Sequence, residues 1–321
     1  MFLGVDGGGT KTAFALVDAQ GQVLARHQDG GAYHIEVGMD GVAAVLRRGV
    51  DALLAEARVP ASAIEFAFFG LPAYGEDRVL EKALHALAGT VLGHARYACG
   101  NDMVCSWAGS LACQDGISVI AGTGSMAYGE VGARQARAGG WGELFSDEGS
   151  AFWIAREGLA LFSRMSDGRA PQGPLYALVR ASLELQDDLD LCAVVYGQLG
   201  GARSRVAQLS RLVSQAAAAG DEQARAILSA AALELARMVD AVRARLEVAP
   251  HSVLPVSTTG GLFGADGPLL EPFAQALAAR TGLYQLAPPR LAPVLGAALY
   301  AARSAGRALD AQALVRLAAQ S

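Results

Sequence analysis

Lysine is almost missing from this 321-residue chain: of its 26 basic residues only Lys11 and Lys82 are lysine, and the others are arginine. Neither lysine follows a glycine, so the Gly-Lys-Ser/Thr phosphate loop is excluded by inspection. Charge is sparse as well, at 18 % of residues with a formal net charge of −5. That leaves no basic footprint for nucleic acid or for an anionic membrane surface. Cysteine is scarce, and Cys99, Cys105, Cys113 and Cys192 are spaced too irregularly for zinc. A chain this long does not need disulfide staples either, so the four read as reduced thiols of a cytoplasmic protein. No basic, cleavable leader precedes the first strand pattern. No run of about 20 apolar residues is free of charge or glycine, so no membrane partner is expected.

What is present is apolar and ordered. Hydrophobic residues make up 52 % of the chain, which at this length predicts two domains. Phe2-Leu3-Gly4-Val5 reads as a strand ending on Asp6, Gly7-Gly8-Gly9-Thr10 as a tight turn, and residues 12–17 as the returning strand. Asp18-Ala19-Gln20-Gly21 makes a further turn, and a third strand starts at Gln22. From about Asp40 to Arg58 the period becomes helical, with Val42, Val45, Leu46, Val50, Leu53 and Leu54 on one face. A strand (64–69), a helix (76–91), a strand (95–98) and a helix from Met103 follow. This alternation implies α/β layers with a parallel component. The opening then recurs as strand 117–121, turn Gly122-Thr123-Gly124-Ser125 and a return from Met126. A segmented helical region (149–248), a strand (253–257), Gly260-Gly261, a helix (269–280) and a last helix (292–305) complete the chain. Two halves with one opening suggest a duplication joined near Asp115-Gly116.

Consecutive glycines let backbone N–H groups approach a ligand, because no Cβ intervenes and positive φ is free. Such concavities favour phosphate. Asp6, at the end of the first strand, suits a carboxylate holding Mg²⁺ through water. Thr10 adds a hydroxyl and Lys11 a point charge. Gly122-x-Gly124-x-x-Ala127 loosely matches a dinucleotide fingerprint, but Tyr128-Gly129-Glu130-Val131-Gly132 follows as strand and turn, not as the helix that reading requires.

Two glycine turns, one per half with an acid at the first, resemble the actin–hexokinase–Hsp70 superfamily. The detailed wording resembles the BadF/BadG-type ATPase family, which includes N-acetylglucosamine kinases. The matching runs are 5–12 (VDGGGTKT), Asn101-Asp102, Ala121-Gly122-Thr123-Gly124-Ser125, Gly139-Gly140-Trp141-Gly142 and Asp147-Glu148-Gly149-Ser150-Ala151. Gly260-Gly261 stands where that family has its adenosine-side turn. The resemblance spans essentially the whole chain. It implies two ribonuclease-H-like α/β domains with a nucleotide cleft between them. These would be residues 1–116 and 117–291, with the C-terminal helix (292–321) packing back on the first. It also implies ATP and Mg²⁺ as cofactors, transfer of the γ-phosphate to a sugar hydroxyl (the 6-OH by resemblance), and a homodimer.

By the same resemblance Gly8, Gly9, Thr10, Lys11, Gly122, Thr123, Gly124, Gly260 and Gly261 hold the nucleotide, and Asp6 the metal. Asp102 is then the general base; from the residues alone the favoured reading is an N-cap for the helix that follows. Asp147 belongs to the sugar, with Ser125, Trp141 and Gly142. Glu148 stays open between substrate contact and first-turn support, and Trp141 between a buried anchor and a stacking platform. His34 falls in a family substrate loop, residues 210–220 could wall the adenine pocket, and the remaining arginines read as solvated faces. Two departures bear on the acceptor: Tyr33 and Met126 stand where the animal-type N-acetylglucosamine kinases carry asparagine. Glucosamine or another amino sugar is the alternative acceptor. An electron-transfer ATPase activator would need a cluster-binding cysteine pair, and none of the four cysteines forms Cys-x-x-Cys. A sugar sensor without catalysis is the remaining alternative.

Overall fold

The computed structural model describes residues 1–200, 202–264 and 266–321, and divides the chain into two compact units. The first comprises Met1–Ser118 and Pro288–Ser321, the second Val119–Ala287.

The first unit is built on β1 (Phe2–Gly7), β2 (Lys11–Val17), β3 (Val23–Gly30), α1 (His34–Ala57), β4 (Phe66–Leu71), α2 (Arg78–Leu92), β5 (Tyr97–Asn101) and α3 (Asp102–Ser110). Its strands lie in the order β3-β2-β1-β4-β5. The β1–β2–β3 meander is antiparallel, whereas β4 runs parallel to β1 and β5 parallel to β4. Leu3, Val5, Phe14 and Leu16 are buried in one cluster with Val42, Val45, Leu46, Val50 and Leu53 of α1, the helical face read from the sequence. Gly38 breaks the first turn of α1 with φ 68°, so the regular helix begins later than His34. The parallel register brings Asp6, Leu71 and Asn101 to the same carboxyl edge of the sheet.

The second unit takes up the chain within β6 (Gly116–Ala121), at Val119, and contains β7 (Ser125–Val131), β8 (Arg134–Gly139), α4 (Ala151–Ser166), α5 (Pro174–Ser182), α6 (Asp190–Cys192), α7 (Arg203–Ala207), α8 (Ser210–Ala218), α9 (Glu222–Arg245), β9 (Leu254–Thr259), α10 (Leu270–Ala278) and β10 (Tyr284–Ala287). Its sheet order, β10-β9-β6-β7-β8, is the order of the first sheet repeated strand for strand. Buried Asp221 caps α9 through the amides of Gln223 and Ala224 and accepts a third bond from Leu175 N. Helix α9 buries a run of small and apolar residues from Ala224 to Val242.

From residue 288 the chain belongs to the first unit again, as two helices, α11 (Pro293–Ser304) and α12 (Ala311–Ala318), where one segment was expected from 292 onwards. Gly306 turns the chain between them at φ 70°. Helix α11 lies directly on β1: a Cβ at Gly4 would stand 2.3 Å from Ala298 N and 2.5 Å from Val294 O. Among the described residues no helix is long and apolar enough to cross a membrane.

Candidate active site

The first glycine turn projects from the β1–β2 hairpin. The Gly8 N–H closes it on Lys11 O at 2.9 Å, and Gly9, Thr10 and Lys11 are exposed at the tip. None of Gly7, Gly8 and Gly9 has positive φ. Space requires glycine at Gly7, where a Cβ would come within 2.9 Å of Gly70 O, whereas one at Gly9 would meet nothing within 4 Å. Gly31 leans over the same tip, where its Cβ would lie 1.8 Å from Gly9 O. The first turn is therefore a bare, open rim onto which a ligand could pack.

Acids gather beside it. Asp6 is half-buried at the end of β1, and Asp102 is the first helical residue of α3. The capping role belongs to Asn101, whose side chain accepts from Met103 N at 3.1 Å, so Asp102 is not the cap. Burial first, and the nearby Asp102 charge second, raise the Asp6 carboxyl to about 7, against smaller opposing effects of Lys11 and of the Cys105 thiol. Burial likewise pushes the Cys105 thiol well up, and the charges of Asp6 and Asp102 push the same way. Asp6, Asp102 and Cys105 thus share one electrostatic environment. A cation beside Asp6 would offset both the cost of burying its charge and the repulsion from Asp102. Among the described residues no group of three or more His, Cys, Asp or Glu converges on one point. A hard carboxylate donor such as Asp6 suits an ion such as Mg²⁺, which keeps waters and takes its other ligands from substrate phosphates; Asp6 fits that ion.

The second glycine turn, Gly122–Ser125, is clamped through its backbone, although Thr123 is exposed and a Cβ at Gly122 would meet nothing within 4 Å. Ala151 N and Phe152 N, in the first turn of α4, donate to Gly122 O at 2.8 Å and Thr123 O at 3.4 Å. Ser125 Oγ donates to Glu148 O at 2.7 Å. The turn at the end of β9 lies against the strand that leads into it: Gly260 has φ 99°, and a Cβ there would stand 2.3 Å from Ala121 O. The sequence-predicted residues Gly122, Thr123, Gly124, Ser125, Asp147, Glu148 and Gly260 are therefore together in this unit, with Gly261 opening the short helix after Gly260.

The loop from β8 to α4 carries the rest. Gly139, Gly140, Gly142 and Gly149 all have positive φ, and so does Asp147 at 59°. For a non-glycine residue that backbone costs about 1–2 kcal/mol. The helix cap is Ser150, which accepts from Trp153 N, so neither Asp147 nor Glu148 performs it. Asp147 is 1 % exposed. Its Oδ2 is ion-paired with Arg203, and its Oδ1 lies 3.5 Å from Ser125 N. Burial raises its carboxyl above the ordinary range and Arg203 opposes that. Glu148 accepts from Ser146 Oγ at 3.2 Å. Trp141 is 68 % exposed, with the Arg137 guanidinium 5.5 Å from its ring centre, so it is no buried anchor. Met126, at one departure from the family pattern, packs beneath this loop, where a Cβ at Gly140 would lie 2.2 Å from Met126 Cε. His34 opens α1 in the first unit, and its Nδ1 is buried without a hydrogen-bond partner.

Sequence reading missed Arg203. It follows a glycine-rich segment, begins a five-residue helix, and looks like every other exposed arginine of this chain. Arg243 is a second arginine that is not on a solvated face: it is buried and donates to the carbonyls of Ala249, Ser252 and Leu283.

A model of the BadF/BadG/BcrA/BcrD ATPase family matches residues 3–301. N-acetyl-D-glucosamine kinase of Dictyostelium discoideum is 28 % identical over 314 residues, covering 95 % of this chain and 98 % of the relative. N-acetylmuramic acid/N-acetylglucosamine kinase of Clostridium acetobutylicum is 29 % identical over 277 residues, 86 % of this chain and 89 % of the relative. A solved structure from Chromobacterium violaceum, described as a candidate N-acetylglucosamine kinase, superposes with a TM-score of 0.72 at 27 % identity and covers 92 % of this chain and 97 % of its own. A ROK family glucokinase from Streptomyces griseus, solved with glucose and AMPPNP, shares the fold at a TM-score of 0.55 and 18 % identity, over 94 % of this chain and 99 % of its own. The two five-stranded α/β units are thus of the actin-like ATPase and ROK kinase type, and the chain belongs to the BadF/BadG/BcrA/BcrD ATPase family.

Proposed function

We propose that this protein is an ATP-dependent amino-sugar kinase that phosphorylates N-acetylglucosamine, at the 6-hydroxyl by family resemblance. Asp102 carries the reading. A carboxylate stands at the carboxyl edge of the sheet beside Asp6, and a separate residue, Asn101, caps its helix. Phosphoryl transfer asks for positioning, charge neutralisation and removal of one proton. In the proposed step the acceptor hydroxyl gives its proton to the Asp102 carboxylate while its oxygen bonds to the γ-phosphorus. The bond from that phosphorus to the bridging oxygen breaks, and ADP leaves with the electron pair.

Asp6 would hold Mg²⁺, which when bound neutralises phosphate charge. The open tip formed by Gly8, Gly9, Thr10 and Lys11 would receive phosphate oxygens. Gly122, Thr123 and Gly124 would present a second phosphate-facing turn, and Gly260-Gly261 the adenosine side. Asp147 would accept hydrogen bonds from the sugar hydroxyls, beside Ser125, Trp141 and Gly142. Glu148, tied to Ser146, would support the loop.

An ATP-consumption assay across N-acetylglucosamine, glucosamine, N-acetylmuramic acid, glucose and N-acetylmannosamine tests the proposal. Sugar-dependent ADP release should be strongest with N-acetylglucosamine. If glucosamine leads, the acceptor changes, in line with Tyr33 and Met126 replacing the family's asparagines. Sugar binding without any ADP release would mean a sensor and not a kinase.

A further inference from the structure

Asp147 is a buried acid in a backbone conformation that disfavours it, and it is the residue assigned to the sugar above. A carboxylate offers about four lone-pair sites. One is engaged by the Arg203 guanidinium and another faces Ser125 N at 3.5 Å, which leaves two for sugar hydroxyls. The guanidinium does more than touch Asp147. Its Nε lies 3.4 Å from Glu143 Oε2, so one cation stands between two carboxylates of the same loop. That Nε is buried and forms no hydrogen bond, although the side chain as a whole is 36 % exposed. The position of Gly124 is explained by the same group: a Cβ there would lie 2.2 Å from Arg203 Nη2 and 3.1 Å from Asp147 Oδ2. A side chain at Gly124 would force the guanidinium to shift.

We infer that Arg203 is a positioning residue for sugar binding, the counter-ion that fixes the orientation of the Asp147 carboxylate beside the second glycine turn. The inference rests on Asp147 being the sugar carboxylate. An ionised carboxylate accepts hydrogen bonds from sugar hydroxyls on both oxygens, whereas a protonated one gives up part of that capacity. Burial favours the protonated form, and the charge of Glu143 pushes the same way; Arg203 and the Ser125 amide oppose them. Glu148, the next residue, has its carboxylate engaged by Ser146 Oγ. Helix α9 approaches the adjoining Gly149 with Ala231 and Leu235. A planar guanidinium can address two carboxylates at once, which the point charge of lysine does less well.

The sign of the pH effect follows. Sugar affinity is present while Asp147 is ionised and is lost as pH falls through its pKa. Without Arg203 that loss occurs at higher pH; without Glu143 it occurs at lower pH. Arg203→Met should raise the KM for N-acetylglucosamine roughly tenfold or more, the worth of one charge-assisted contact. Its KM for ATP and its kcat should stay within about threefold of wild type, because uniform ground-state binding is what is removed. The acid limb of kcat/KM for the sugar should move up by about one pH unit in Arg203→Met, return most of the way in Arg203→Lys, and move down in Glu143→Gln. An unchanged sugar KM with an unmoved acid limb in Arg203→Met would overturn the inference. Should that variant not be recovered folded, an unmoved limb in Glu143→Gln overturns it instead. Asp147→Asn separates the two levels. If it leaves the sugar KM unchanged, the assignment of Asp147 fails; if it raises KM while Arg203→Met does not, only the role of Arg203 fails.

Discussion

In the first unit the glycine turn stands open at the end of β1, with exposed Gly9 and Thr10 at its tip and two acids, Asp6 and Asp102, behind it. In the second unit the corresponding turn after β6 is held by the α4 amides, by Ser125 and by the turn at Gly260, with a carboxylate–arginine pair over Gly124. Sheet order is the same in both. The duplicated scaffold therefore supplies the same place twice, and the residues at the ends of its strands decide what each place does. Acids collected at one turn suit a cation and a proton acceptor. A clamped turn with a carboxylate–arginine pair beside it suits a phosphate-facing backbone next to a fixed carboxylate for sugar hydroxyls.

Removing the acid of the first turn should have the largest effect. Asp102→Ala should lower kcat by about 10²–10⁴, the usual worth of a general base, and leave calorimetric sugar affinity nearly unchanged. Near-normal turnover would remove Asp102 as base. Next comes the carboxylate of the second unit: Asp147→Ala should raise the sugar KM by about ten- to a hundredfold with a smaller change in kcat. The two variants together separate chemistry from recognition.

The glycines sharpen the contrast further. Gly260→Ala meets both a positive φ and the Ala121 carbonyl, and should destabilise the protein by about 1–3 kcal/mol in denaturant titration. Gly9→Ala meets open space; its stability should stay within about 0.5 kcal/mol of wild type while the KM for ATP rises. Should Gly9→Ala unfold the protein and Gly260→Ala not, the description of an open and a clamped turn is wrong.

A subtler effect concerns pH. Burial raises the Asp6 carboxyl to about 7 in the folded protein, against an ordinary value of 3.8. The folded state then binds more protons than the unfolded state between those values, so stability falls as pH rises through that window. The total is at most roughly 4 kcal/mol in the absence of a divalent cation. Asp6→Asn should flatten that slope in unfolding measured between pH 4 and 7, and a slope equal to wild type would exclude Asp6 as its source.

The repeated opening was legible because an apolar strand ending on a glycine run leaves a pattern in a few adjacent residues. The helical face of α1 was legible for the same reason, since Val42, Val45, Leu46, Val50 and Leu53 recur at helical spacing. Strand β8 was not, because in Arg-Gln-Ala-Arg-Ala-Gly only Ala136 is buried and an edge strand needs little apolar alternation. Strand β10, four residues with none fully buried, left even less signal. At the candidate site, the choice between cap and base for Asp102 turned on Asn101, one residue earlier, whose side chain takes the cap. The reason for the glycines was legible only in part: close approach operates at Gly7, Gly124 and Gly260, positive φ at Gly260 alone of these. Arg203 left no local trace, because its meaning comes from a carboxylate 56 positions away.

The most direct test of the central claim follows the fate of the γ-phosphate by ³¹P NMR in a mixture of protein, ATP, Mg²⁺ and N-acetylglucosamine, with Asp102→Asn alongside. Wild type should produce ADP and a sugar phosphate in equal amounts, and the variant neither at a comparable rate. Free phosphate accumulating without sugar phosphate, or an Asp102→Asn protein that matches wild type, would contradict the account.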